Sequence, residues 1–361
     1  MDLGQNAIDF ISEDAFVSLL QLKRLYLDAN QLAAVPSSTS LRPLASSLTH
    51  LNLGQNAIQT LQSDVFLPLR SLKQLNLTGA SILNISVNAF RGLGGLYEAD
   101  TGLKSLSLDS NALDQFPSMA LSQLPHLETL FIGGNFFEKL TSEKFRSLSL
   151  LKHLDLSHSH NLVHLGPLLF ANTPMIETIS IRGCKQLTIE AEAFTLPLSS
   201  DESNTFTTTT QMTEAPSSEV AMMMTKEEPT SSTSRKLNLK LAELGWTQVP
   251  SNIADWSQVA SIDLSLNPLH CDCEIQWLKD VLDGIEAENN TDFEASHVVC
   301  RTPKGHEAET LQVGLFFDQL HRYSEGYFPY AQNCRGVAIL FQNKNVECIM
   351  RAKQRGALAT S

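Results

Sequence analysis

The sequence predicts an α/β solenoid, a curved stack of short coils whose parallel strands line a concave face. Three observations point there. Leucine is concentrated, since 56 of the 361 residues are leucine and 42 of those fall in the first 200. The leucines recur in one pattern, LxxLxLxxNxL, and a phenylalanine follows several of its asparagines in phase. About 150 residues per domain would otherwise divide this length into two or three globular units. Internal repetition overrides that division.

The strand comes first. Residues 22–32 and 48–58 align position for position, and the asparagine slot recurs at Asn6, Asn30, Asn56, Ala80, Asn111, Asn135, Ser159, Cys184, Leu244 and Asn267, at a typical step of about 24. Alternating leucines of an extended segment point to one side, so one copy cannot bury them. Stacked copies make a continuous core and leave the intervening residues on the concave face. The asparagine amide offers donors and an acceptor to backbone groups where the chain turns. Phe16, Phe66, Phe90, Phe145, Phe170 and Phe194 come about ten residues later and are expected to fill the convex layer. The bland alternative, an amphipathic helical protein with chance leucine spacing, does not account for these phenylalanines in phase. The pattern resembles the leucine-rich repeat, which implies a horseshoe array over residues 1–198 and two last repeats over 236–269.

Two steps are too long. Between Ala80 and Asn111 there is room for a loop around residues 92–101, and between Cys184 and Leu244 lies an insertion over residues 199–235. Residues 199–234 contain no leucine, and 17 of these 36 are Ser or Thr. That composition supplies no core and reads as a solvated loop. The sharper alternative is an O-glycosylated or protease-processed segment, because some Toll-like receptors carry processed insertions within their arrays; the sequence here does not match theirs. At the other end Leu3, Asn6 and Ile8 are already in register, with no cysteine cap or signal peptide before them. Met1 is therefore expected to be internal to a longer product, an N-terminally incomplete array.

After the last repeat the chain reads Asn267-Pro268-Leu269-His270-Cys271-Asp272-Cys273, then Trp277-Leu278, Cys300-Arg301-Thr302-Pro303, and later Cys334 and Cys348. This is similar to the C-terminal cysteine-rich flank of extracellular leucine-rich-repeat proteins such as Slit, the Toll receptors and the acid-labile subunit. The resemblance implies a disulfide C-terminal cap over residues 270–334, with Cys271 paired to Cys300 and Cys273 to Cys334, and a basic tail over 335–361. Cys300 and Cys334 lie farther apart than the family usually shows, which leaves Cys348 as a rival partner for Cys273. A zinc site is the competing reading, but the usual CxxC spacing is missing and Pro268 and Trp277 fit a packed helical cap. Disulfides imply an oxidising compartment, and the sequons at Asn76, Asn84 and Asn289 are compatible with secretion. Cys184 occupies an asparagine slot and reads as a buried free thiol.

The net charge of −13 is local: −4 in residues 1–198, −5 in 199–234, 0 in 235–269, −8 in 270–334 and +4 in 335–361. An acidic chain with a short basic tail lacks the Lys/Arg stripe that phosphates require, which argues against nucleic acid as a partner. No apolar run is long enough to span a bilayer. Nucleophile elbows, HExxH, GxGxxG and GxxxxGK[ST] are missing, and His306-Glu307 lacks its second histidine. Neither catalysis nor a cofactor is expected. The densest titratable patch, His153, His158, His160 and His164, reads as solvent-facing histidines, since consecutive positions on one strand diverge; His153 and His158 are expected on the concave side.

What remains is surface. The central concave column is expected to run Tyr26, Asn52, Asn76, Ser107, Phe131, Asp155, Ser180, Lys240, Asp263, beside Arg24, His50, Gln74, Ser105, Thr129, His153, Thr178. From these, Arg24, Tyr26, His50, Asn52, Ser107, Phe131, His153 and Asp155 are the candidate partner-binding residues. Gly133 and Gly134 are expected to clear space around Phe131. Lys23, Lys73, Lys104 and Lys152 border the columns, as a solvated strand edge or as a site for an acidic partner or sulfated glycan. The expected function is an extracellular protein-binding module for a protein ligand or receptor, in adhesion, matrix or receptor recognition. Rival readings are a fragment of a Toll-like receptor ectodomain, an intracellular scaffold and an enzyme accessory module.

Overall fold

The computed structural model describes residues 1–95, 102–196, 236–270 and 275–289, and beyond these four short strands by their backbone. Its main feature is a nine-stranded parallel sheet built from Arg24–Tyr26, His50–Asn52, Gln74–Asn76, Ser105–Ser107, Thr129–Phe131, His153–Asp155, Thr178–Ser180, Leu237–Lys240 and Val259–Asp263, in sequence order. Asp2 continues it by a parallel bridge to Tyr26. Each coil contributes one strand, so every neighbour in the sheet is also a neighbour in the repeat order, as a solenoid requires.

Alternation within each strand decides what is inside. Leu25, Leu51, Leu75, Leu106, Leu130, Leu154, Ile179, Leu239 and Ile262 form one buried column, and Leu27, Leu53, Leu77, Leu108, Ile132, Leu156, Ile181, Leu241 and Leu264 the next. Each such side chain removed from water contributes roughly 1.5 to 3 kcal/mol, and only the coil above and the coil below can cover it. On the far side the six expected phenylalanines are all buried. Phe66 stacks on Phe90 at 6.3 Å, and Phe145, Phe170 and Phe194 continue at 5.6 and 6.2 Å. Phe116 joins the second group, 5.0 Å from Phe145, from an earlier position in its repeat.

The asparagines tie coil to coil. Asn135 Nδ2 donates to Leu108 O of the preceding coil and to Ile132 O of its own, while its Oδ1 accepts from Leu113 N. Asn30, Asn56, Asn111 and Asn267 do the same. In the substituted slots the bonding weakens. Cys184 Sγ lies 3.7 Å from Leu156 O, and the buried Ser159 Oγ has no partner. Just before each slot the backbone turns through positive φ, at Gln5, Ala29, Gln55, Gly79, Ser110, Gly134, His158, Gly183, Glu243 and Leu266.

Both long steps leave the sheet intact. Leu103 N donates to Leu93 O at 2.8 Å, which closes the first excursion at its base. Across the second, Thr178 pairs directly with Asn238. Each lies in sequence between a convex phenylalanine, Phe90 or Phe194, and the next concave strand. Residues 197–235, and with them the Ser/Thr-rich insertion, lie outside the described residues.

At the C-terminal end Ile275 and the helix Gln276–Asn289 bury Leu278, Leu282 and Ile285 against the last strand, with Trp256 and Trp277 at 5.2 Å. Cys271, Cys273 and Cys334 lie outside the described residues. Cys300 sits in the strand Val299–Arg301, antiparallel to Thr310–Gln312, and Cys348 in Asn345–Met350, antiparallel to Val337–Gln342. No helix among the described residues is long and apolar enough to cross a membrane.

Candidate binding surface

The register turns the two expected columns into continuous rows. Arg24, His50, Gln74, Ser105, Thr129, His153 and Thr178 are successive Cα partners, and so are Tyr26, Asn52, Asn76, Ser107, Phe131, Asp155 and Ser180. The candidates fall into two groups. Arg24, Tyr26, His50 and Asn52 occupy the first two strands, whereas Ser107, Phe131, His153 and Asp155 occupy the fourth to the sixth. Gln74 and Asn76 stand between them. Arg24, Phe131 and His153 are exposed, and Tyr26, His50, Asn52, Ser107 and Asp155 half-buried.

Several of these polar groups also hold the fold. Asn52 Oδ1 accepts from Gly54 N, Asn76 Oδ1 from Thr78 N and Asp155 Oδ1 from Ser157 N, at 3.1, 2.8 and 2.8 Å. Each caps the turn that leaves its strand, an Asx turn. A third outward position, two residues further on, was not among the candidates. It brings Asp28, whose Oδ1 accepts from Asn52 Nδ2 at 2.8 Å, and Asp109, whose Oδ1 accepts from Thr78 Oγ1 at 3.0 Å. The alternation that identified the first two columns, extended by one step, would have found it.

The lysine row is interrupted by acid. In register order the positions preceding the strands run Lys23, Thr49, Lys73, Lys104, Glu128, Lys152 and Glu177. Glu128 lies between Lys104 and Lys152, 2.8 Å from one Nζ and 2.9 Å from the other. Hydrogen bonds from both lysines hold its carboxyl below the usual range, and Glu128 in turn raises Lys152. Lys104, Glu128 and Lys152 thus form a local ion network within the row. At the other group, burial first and the Arg24 charge second lower the His50 imidazole, whose Nδ1 lies 2.8 Å from Thr49 Oγ1.

The glycines near Phe131 have a packing reason besides the clearance they give: a Cβ on Gly133 would meet the backbone of Ser157, and Gly134 has φ +63°. Among the sequons, Asn76 is half-buried in the middle of the concave face and Asn84 exposed on the short strand Asn84–Ile85. Asn289 ends the cap helix.

A family model described as leucine rich repeat matches residues 45–82, 101–160 and 125–185. With the coil geometry, the ladder and the sheet register, the matched residues are leucine-rich repeats. The chain is 30% identical over 225 residues to Tsukushi of Mus musculus, covering 50% of this chain and 63% of that protein. Leucine-rich-repeat solenoids of similar fold include the TLR13–ssRNA13 complex, with a TM-score of 0.53 and 20% identity over 86% of this chain and 45% of that one. Human 5T4, trophoblast glycoprotein, gives 0.50 and 18% over 85% and 89%. The chain thus spans less than two thirds of the length of Tsukushi and of the TLR13 chain.

Within this leucine-rich-repeat array the histidine patch does not converge. His158 and His160 lie with ring centroids 6.4 Å apart, and His164 Nε2 pairs with Glu190 Oε1 at 3.2 Å on a different strand. His153 is on the concave strand as expected, whereas His158 sits in the positive-φ turn beyond it. Cys184 is buried and free, and burial pushes its thiol up to about 11, which disfavours the thiolate.

Proposed function

We propose that this chain is an extracellular protein-binding module that engages a protein ligand or receptor through its concave face, in adhesion, matrix or receptor recognition. The observation that carries the reading is Phe131. It is 38% exposed at the centre of the sheet, a large apolar ring on a face lined mainly by polar side chains. Small polar neighbours, Ser107 and Thr129, leave the ring accessible. The kinship with Tsukushi and the likeness of fold to human 5T4 support a recognition role, and nothing in the histidine patch or at Cys184 supports a catalytic one. TLR13 is seen in complex with single-stranded RNA. Here Glu128 engages Lys104 and Lys152, and Asp109 and Asp155 face the concave side, which does not favour a phosphate backbone.

The extracellular setting rests on the cysteine pattern and the sequons. Non-reducing peptide mapping of secreted material tests it, with a Cys271–Cys300 bridge expected; free thiols at both would overturn it. For the face itself, partners recovered from a screen of secreted and ectodomain proteins are titrated against variants. Phe131→Ala is expected to weaken binding about tenfold or more with the fold unchanged. If Phe131→Ala, Ser107→Arg and Asp155→Arg are all silent, the site lies elsewhere.

A further inference from the structure

The charged side chains placed nearest Phe131 by the register are two carboxylates, Asp155 and Asp109. Asp155 is the direct partner of Phe131 in the ladder, at the strand spacing of about 4.8 Å. On the other side stands the small Ser107, and two residues beyond it comes Asp109, diagonal to the ring. Both carboxylates are oriented by a hydrogen bond, Asp155 Oδ1 from Ser157 N and Asp109 Oδ1 from Thr78 Oγ1. Neither takes part in an ion pair among the described residues. Lys104 and Lys152 engage Glu128, Arg182 engages Glu243 at 3.5 Å, and Lys240 stands in the same row two strands beyond Asp155. His153, two residues before Asp155 on the same face, is the other titratable group beside the ring.

An aromatic face attracts a cation, and a guanidinium both stacks flat on a ring and forks onto a carboxylate. The geometry points to a recognition site for an arginine side chain on an exposed loop of the protein partner, stacked over Phe131 and received by Asp155 and Asp109. The assignment rests on the concave face being the binding surface and adds the charge of what binds there. It runs against a sulfated glycan in the same place, because two oriented carboxylates repel an anion.

The test is an NMR titration of the full chain at low salt with three probes: acetyl-arginine N-methylamide, its citrulline counterpart, which keeps the shape without the charge, and a heparin hexasaccharide. The arginine probe is expected to shift the amides of Ser107, Phe131 and Asp155 and to bind about fivefold or more tightly than citrulline. Asp109→Asn with Asp155→Asn, which keeps both oriented oxygens, and Phe131→Leu are each expected to remove most of that preference. Equal binding of citrulline, no binding of the arginine probe, insensitivity to the variants, or heparin shifting the same amides would each overturn the assignment. If Ser107→Arg still blocks a recovered protein partner while the arginine probe fails, the concave-face reading stands and only the charge of the partner is wrong.

Discussion

A Cβ built on Gly133 would lie 2.1 Å from the carbonyl oxygen of Ser157 and 2.8 Å from its amide nitrogen. That oxygen also accepts from Gly134 N at 2.8 Å, so one coil rests on the next through backbone alone. The obstacle is main chain and cannot rotate aside. Gly133→Ala must separate the two turns or break that bond, and is expected to cost about 1 to 3 kcal/mol in denaturant unfolding. Gly166→Ala is the control, since its nearest neighbour, Leu140 O, is 3.5 Å away. Equal stability of the two variants would refute the close approach.

The positive-φ turns invite a change in the opposite direction. Ala29 has φ 51°, a conformation in which a Cβ is disfavoured by about 1 to 2 kcal/mol and glycine is not. Glycine loses part of that gain through the freedom of the unfolded chain, roughly 0.5 to 1 kcal/mol. Ala29→Gly should therefore be neutral to about 1 kcal/mol more stable, and Ala29→Val clearly less stable. A marked loss of stability in Ala29→Gly would mean that the turn is not held where it is described.

The asparagine ladder predicts a contrast between two slots in adjacent coils. Asn135→Ala strands Leu108 O, Ile132 O and Leu113 N in the core, and each unsatisfied buried group costs about 1 to 3 kcal/mol. The expected loss is about 3 kcal/mol or more. Ser159 Oγ makes no bond, so Ser159→Ala should be neutral or slightly stabilising. Thermal unfolding of the two variants decides it; similar costs would show that Ser159 does serve the ladder.

Most of this architecture was readable because a solenoid repeats one short-range rule. Leu25 and Leu130 are buried for the same reason, and period-two alternation states it locally. The Phe66–Phe90 stack likewise follows from phase. Phe116 was not readable, because it reaches the phenylalanine layer from a different point in its repeat, and only packing shows that it meets Phe145. Glu128 escaped for a related reason. A search for one sign of charge selects the lysines and passes over the acid that sits between them once the strands are in register. The double role of Asn52 and Asp155, facing outward while capping a turn, depends on side-chain rotation, which sequence spacing does not encode.

The Glu128 network gives the last prediction, and its sign follows from the two shifts. Glu128 in the folded chain holds its proton less tightly than in the unfolded chain, because Lys104 and Lys152 donate to the charged form. Its contribution is therefore fully present above the ordinary carboxylate range and is lost as pH falls through the depressed folded value. Lys152 is shifted the other way, so its share is present below the ordinary lysine range and lost as pH rises through the raised folded value. Between these limits Glu128→Gln should destabilise the chain modestly, as expected of partly exposed ion pairs, and less so in high salt. The gap between wild type and Glu128→Gln, measured in parallel denaturant titrations, should narrow from pH 7 to pH 3. Glu128→Gln should also release Lys104 and Lys152 from their shared partner and increase retention on a heparin column. A gap independent of pH and salt, with retention unchanged, would show that Glu128 acts through packing and that the lysines are not restrained by its charge.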